Sequence, residues 1–329
     1  MKKLNKEMLC LFMSVCIIAG LSGCGKKQDQ AAENNQAQSS SKLSVVATIF
    51  PEYDFLRQIG GDYINLKMLV TPGAETHSFE PTPQDIKAVN ESDLFVYVGG
   101  DSDGWVESIL DSVDTDRVKV VTLMDCVQLV PEETVAGMTP EEETSETDSE
   151  EEETEYDEHV WTSPKNARLI VQKLCDNLCQ LDPAHKTDYQ KNTKAYQKKL
   201  DKLDQEFQEV AEHGKRKEII VGDRFPFRYF ADAYGLTYYA AFPGCAADTE
   251  PNAGTIAFLT EKVKKDQIPV VFHIELSNEK VCNSICEATG AKSELLNAVH
   301  NVSKKDFEAG VTYMDLMEHN VKVLKEALN

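Results

Sequence analysis

LSVVATIF, residues 43–50, is a short β-branched run with no charge in it. Such a run predicts a buried strand. A helix-like stretch over 52–59 and the turn Gly60-Gly61 follow, and then INLKMLV (64–70) reads as a second strand. Thr82 and Pro83 open a predicted helix over about 81–91. LFVYVGG (94–100) and VKVVTL (118–123) continue the series as strands. The same grammar returns late in the chain, in EIIVG (218–222), LTYYAAF (236–242) and IPVVFHIEL (268–276). Short apolar strands alternating with helices imply an α/β architecture with parallel sheets. Two such lobes are expected, over 43–181 and 214–329. Between them, residues 182–213 begin with Asp182-Pro183, and Gly214 ends the segment. Tyr189, Thr193, Tyr196, Leu200, Leu203 and Phe207 recur at three- or four-residue spacing, which predicts one long amphipathic helix. A rigid helix joining two α/β lobes implies a cleft between them.

The N-terminus places that body outside the cytoplasm. Lys2, Lys3 and Lys6 precede an apolar run over 8–21 that is shorter than the ~20 residues a membrane-spanning helix needs. This is the pattern of an export signal, residues 1–23. It closes on Leu21-Ser22-Gly23-Cys24, which looks like a bacterial lipobox with Cys24 as the lipidated residue. Residues 24–42 are rich in Gln, Asn, Ser and Ala and read as a flexible tether. The expected location is extracytoplasmic, lipid-anchored to the bacterial cell membrane.

With 34 Lys+Arg against 56 Asp+Glu, the net charge is −22. A chain so acidic is a poor ligand for nucleic acid, whose phosphates are bound through Lys and Arg. Twelve of the eighteen residues from 141 to 158 are acidic, which is more than half of the excess. Such a block of like charge is expected to stay disordered, within a loop over about 139–158. It leads straight into His159, so a weak cation-collecting role is one reading and a solvated loop the other.

Seven histidines are present. His185, His213 and His319 fall on or beside helices and are expected to be bland. His77, His159 and His300 fall on loops at strand ends, where open α/β sheets bind ligands. Neutral imidazole is a common zinc ligand, so loops from both lobes could converge on one ion.

Longer motifs surround these histidines. Thr71-Pro72-Gly73, then His77-Ser78-Phe79-Glu80-Pro81-Thr82-Pro83, resembles the PGxxxHxFEPTP motif of the substrate-binding proteins of zinc and manganese ABC transporters. Asp157-Glu158-His159-Val160-Trp161-Thr162-Ser163-Pro164 is similar to that family's DPHxWLSP, with Glu158 where Pro is usual. Phe227-Arg228-Tyr229-Phe230, then Tyr234-Gly235-Leu236, resembles its FxYFxxxYGL segment. The resemblance runs from about Leu43 to the C-terminus. It implies two Rossmann-like lobes joined by a long helix, with one metal ion in the interlobe cleft. It also implies a monomeric receptor that hands Zn(II) to a membrane permease driven by a cytoplasmic ATPase.

The resemblance further implies four ligand positions. His77 and His159 hold the first two and His300 the fourth. The third, a His or Glu in the family, is Arg224 here, and a guanidinium cannot ligate a metal. Glu275 is a candidate for the fourth metal contact or a partner for Arg224, Asp223 is another candidate, and water is a third. His273 and Glu275 are expected to alternate along one strand face. His-rich ligation favours Zn(II) over Mn(II), which prefers oxygen donors. The rival class, an extracellular zinc hydrolase, would call for HExxH, which would set a general-base Glu beside the ligands, and no HExxH occurs. Cys126, Cys175, Cys179, Cys245, Cys282 and Cys286 remain after the signal and the lipidated residue. Cys175/Cys179 and Cys282/Cys286 are spaced by four on predicted helices, and free buried thiols are expected of the set.

Overall fold

The computed structural model describes residues 42–76, 79–100, 103–138, 155–244 and 252–329. Strands β1 (Leu43–Ala47), β2 (Ile64–Met68), β3 (Leu94–Tyr97) and β4 (Lys119–Thr122) form one sheet in the order β2-β1-β3-β4. Strands β5 (Glu218–Arg224), β6 (Thr237–Phe242), β7 (Val270–His273) and β8 (Lys292–Leu295) form a second in the order β6-β5-β7-β8. Every pairing is parallel. One strand order thus occurs twice, and in each lobe the order reverses beside the first strand, at β1/β3 and at β5/β7. Ligands of open parallel sheets sit at such points, beyond the carboxyl ends of the strands.

The strands are apolar on both faces because both faces are covered. Val45, Ala47, Leu94 and Val96 point into one large core, while Val46 and Phe95 between them point into a separate cluster with Val89, Val106 and Ile109. The second lobe repeats the arrangement. Ile219, Val221, Val270 and Phe272 join the large core, and Ile220 and Val271 pack with Leu259, Cys282 and Ile285. The outer clusters lie under α2 (Pro83–Asn90) and α3 (Gly104–Leu110) in the first lobe, and under α7 (Ala253–Lys265) and α8 (Lys280–Thr289) in the second. The large core is shared between the lobes through α1 (Phe50–Gly60), α4 (Pro164–Leu181), α5 (Lys186–His213) and α10 (Tyr313–Leu328).

Helix α5 buries Tyr189, Thr193, Tyr196, Leu200, Leu203, Phe207 and Ala211 along one stripe. At 28 residues it is about 42 Å long. It starts at Lys186, after a 3-10 turn over Pro183–His185, rather than at Asp182. Two short helices complete the set, α6 (Arg228–Tyr234) and α9 (Lys304–Glu308). Among the described residues, no helix is long and apolar enough to cross a membrane.

Three expectations need correcting. The first apolar run leaves the sheet after Ala47, because Phe50 already begins α1. The acidic block does not stay irregular up to His159. The Glu132 N–H bonds to the Glu155 carbonyl at 3.0 Å, the Asp157 N–H bonds to the Val130 carbonyl at 3.1 Å, and Asp157 and Glu158 are buried. Residues 139–154 of that block lie outside the described residues. Finally, β7 ends at His273, so Glu275 lies beyond the strand and does not share a strand face with it.

Candidate metal centre

His159 and His300 come together although 141 positions separate them. Their ring centroids are 4.8 Å apart in an edge-to-face arrangement. His159 is fully buried and His300 nearly so. The two arrive by different routes. His159 caps the 3-10 turn Val160–Thr162 that feeds α4. His300 sits on the loop after β8, next to Val299, whose φ of 66° is a left-handed conformation strained for a β-branched residue. Trp161 braces both rings, at 5.5 Å from His159 and 5.3 Å from His300. Its indole N–H donates to the Ala298 carbonyl at 2.8 Å, and the Tyr313 hydroxyl donates to the Trp161 carbonyl at 2.8 Å.

Asp157 orients His159. Its Oδ1 accepts from the His159 backbone N–H at 2.8 Å and lies 3.1 Å from Nδ1. An ionised Asp157 at that contact favours the tautomer with the proton on Nδ1 and the lone pair on Nε2, the arrangement of an imidazole with a carboxylate behind it. Burial, with smaller contributions from the neighbouring His300 and Arg224, holds the His159 ring well below the ordinary imidazole range. Burial likewise pushes Asp157 up to about 7. The ring is therefore neutral, the form that binds a metal. The fit is close on the far side too: a Cβ on Gly244 would meet the His159 Cε1 at 3.0 Å.

Glu275 lies behind His300. Its Oε2 accepts from the Ala298 N–H at 2.7 Å and its Oε1 from the His300 N–H at 2.8 Å, with His300 Nδ1 3.6 Å away. Both oxygens thus hold the loop that carries His300. Arg224, at the end of β5, turns to Glu75 instead, with Nη2 3.3 Å from each carboxylate oxygen. Asp223 faces the other way, toward the Ser277 hydroxyl. A cavity of about 20 Å³ is lined by Glu75, Arg224, Glu275, His300 and Asn301, among others. That is room for one water or ion. A far larger hollow of about 460 Å³ lies between α4 and α5, lined by Arg168, Gln172, Gln197 and Asp201. It is an open polar groove and holds none of the candidate residues.

His77 lies outside the described residues, as do Cys24 and Cys245. Its flanks are placed. The segment ending at Thr76 is pinned by Asn301, whose amide donates to the Thr71 and Ala74 carbonyls at 2.9 Å each. Among the described residues, no group of three or more His, Cys, Asp or Glu is placed to hold a metal ion. The remaining histidines have structural partners. His273 Nδ1 lies 3.2 Å from the Ile274 carbonyl, His213 contacts the Glu209 carbonyl, and His319 contacts the Leu295 carbonyl. His185 bonds Asp182 and stacks on Tyr63 at 4.1 Å, also a structural role. The five described cysteines, Cys126, Cys175, Cys179, Cys282 and Cys286, are free thiols. Burial pushes Cys126 and Cys179 up to about 11 and Cys282 up to about 12, so these thiols stay protonated and inert.

Sequence reasoning missed Glu75 and Asn301. Each lies within two residues of a candidate histidine, which is the only signal that could have found them.

The family described as ZnuA, zinc-uptake complex component A, periplasmic, matches residues 45–327. The zinc-binding lipoprotein AdcA of Streptococcus pneumoniae is 33% identical over 293 residues, covering 89% of this chain and 57% of that protein. The chain thus spans little more than half the length of that relative. The high-affinity zinc uptake system protein ZnuA of Bacillus subtilis is 32% identical over 323 residues, covering 98% of both chains. The crystal structure of the Zn(II)-bound ZnuA-like domain of S. pneumoniae AdcA superposes with a TM-score of 0.72 at 32% identity, covering 88% of this chain and 99% of that one. By the extent of that match and the two-lobe fold around the paired imidazoles, the chain belongs to the ZnuA family of zinc-uptake components.

Proposed function

We propose that this protein is an extracytoplasmic receptor that captures Zn(II) in the interlobe cleft and delivers it to an ABC permease for import. The observation that carries this reading is the buried His159–His300 pair, drawn from different parts of the chain and set at 4.8 Å. In the proposed site His77, His159 and His300 bind the ion. Glu275 positions His300 from behind and Asp157 fixes the His159 tautomer. Imidazole donors suit zinc better than manganese, which favours oxygen ligands. The zinc relatives named above support the same preference. A cavity of about 20 Å³ supports a carrier of bare ions over a hydrolase, which needs space for an organic substrate beside the metal. The proposed working form is a monomer, with residues 1–23 a removed signal, Cys24 the lipid-bearing residue and 24–42 the tether. Residues 43–181 and 214–329 are the two lobes, with 182–213 the linking segment. A permease with its cytoplasmic ATPase is the proposed partner.

The chain has two tryptophans, and Trp161 touches both imidazoles. A Trp105→Phe variant therefore reports on the site alone. Zinc should change its fluorescence with one-to-one stoichiometry, and manganese should do so only at much higher concentration. A flat titration with zinc, or a preference for manganese, would overturn the reading.

A further inference from the structure

The second-lobe side of the cleft carries a fixed positive charge. Arg224 closes β5, and its side chain is 9% exposed. Its guanidinium lines the same small cavity as His300, Glu275 and Glu75. Glu75, half-exposed on the loop after β2, faces Arg224 Nη2 with both carboxylate oxygens at 3.3 Å. The neighbouring carboxylate, Asp223, is otherwise engaged: its Oδ1 accepts from the Arg224 backbone N–H at 2.9 Å and it also accepts from the Ser277 hydroxyl. A guanidinium does not lose its proton under any condition the fold survives, so this charge is permanent. A divalent ion in that cavity would share a poorly screened space with it, where like charges repel several times more strongly than in water.

We propose that Arg224 is the affinity-setting residue of this site. It is a resident cation, anchored to Glu75 across the cleft, that weakens the hold on a divalent ion and so speeds its release. The inference rests on the zinc-receptor reading. In that reading tight capture alone is not enough, because cargo must also leave. Arg224 touches no metal in this account. It acts through the field it imposes on the imidazole site, and the sign of its effect sets it apart from a structural residue.

The test uses the full chain in detergent, with zinc affinity read by competition against a chromophoric chelator. Zinc release is timed after mixing with excess chelator. Arg224→Gln should bind zinc at least about tenfold tighter than the parent and release it more slowly. Arg224→Lys, which keeps the charge, should stay close to the parent. Arg224→Met, neutral and of similar length, should reproduce the tightening if the Gln variant does not fold. A purely structural Arg224 would give weaker binding in all three variants, and that result overturns the proposal. So does a Lys variant that tightens as much as the Gln variant. If the parent binds zinc and neutral variants bind no tighter, this inference alone fails. If the folded parent and every folded variant bind no zinc, the receptor reading fails and takes the inference with it.

Discussion

Asp157 bears on what His159 can do, because its carboxylate, when ionised, favours the proton on Nδ1 and leaves Nε2 open. Asp157→Asn is expected to cost about 10–100-fold in zinc affinity while leaving the fold intact, as loss of a carboxylate behind a ligating imidazole generally does. His159→Ala and His300→Ala should abolish binding, both read by chelator competition. An Asp157→Asn affinity equal to the parent's would show that the carboxylate is not in the circuit. Asn301 makes a different kind of contribution. Its amide is the donor to the Thr71 and Ala74 carbonyls, so Asn301→Leu should destabilise the protein by about 1–3 kcal/mol in chemical denaturation. At this scale the meeting of His159 and His300 could be anticipated, since histidines are few and both fall on loops at predicted strand ends, while His77 lies outside the described residues. The residues that hold them could not be. Glu75 meets Arg224 across 149 positions, and Asn301 meets Thr71 across 230. No local pattern announces a partner that only the fold brings near.

Helix α1 begins on a buried acid. Glu52 Oε1 accepts from the Thr48 hydroxyl at 2.5 Å and from the Ile49 N–H at 3.1 Å, closing the first turn as β1 ends. Burial, with a smaller push from Asp103, raises Glu52 to about 8 from an ordinary 4.5. The folded state therefore holds this proton more tightly than the unfolded chain does. The stabilisation is complete below about pH 4.5 and is lost as pH rises through 8. Unfolding free energy should fall between about pH 4.5 and pH 8, and Glu52→Gln should flatten that slope; equal slopes would contradict the assignment. Along α5, Leu200 is fully buried in the stripe that both lobes share, and Leu200→Ala should cost about 2–5 kcal/mol in urea unfolding. Strands β1 to β7 were legible because each lies in an apolar or β-branched run, even where burial is partial as in β2 and β4, and helix α5 because it buries a regular stripe. Strand β8 was not. Its sequence, KSEL, holds one apolar residue in four and is only partly buried, so no apolar run announces it. The last four residues of the acidic block were misread for a related reason. Charge repulsion argues for disorder, but backbone pairing with 130–132 and the bond from the Tyr229 hydroxyl to the Asp157 carbonyl at 2.7 Å outweigh it there.

At the scale of the whole molecule, the two sheets do not form separate cores. One apolar body runs from Val45 through Trp161 and Leu200 to Leu328, so the cleft sits on a stiff base. The Tyr313 N–H bonded to Asp54 at 2.7 Å ties α10 to α1 beneath it. The charge distribution acts at longer range. Much of the net −22 belongs to the block over 141–158, whose end runs into His159. Deleting residues 141–154 should slow zinc association at low ionic strength and leave release unchanged, because a distant field steers an ion but does not hold it. An altered release rate would place part of the block in the site. The central claim is that His77, His159 and His300 together hold one zinc ion. X-ray diffraction from zinc-loaded crystals, collected on both sides of the zinc absorption edge, tests it most directly. A single strong anomalous peak is expected within about 2.0–2.1 Å of a nitrogen of each of the three rings. A peak elsewhere, or one bound to Glu275 and Asp223 with the imidazoles turned away, would contradict it.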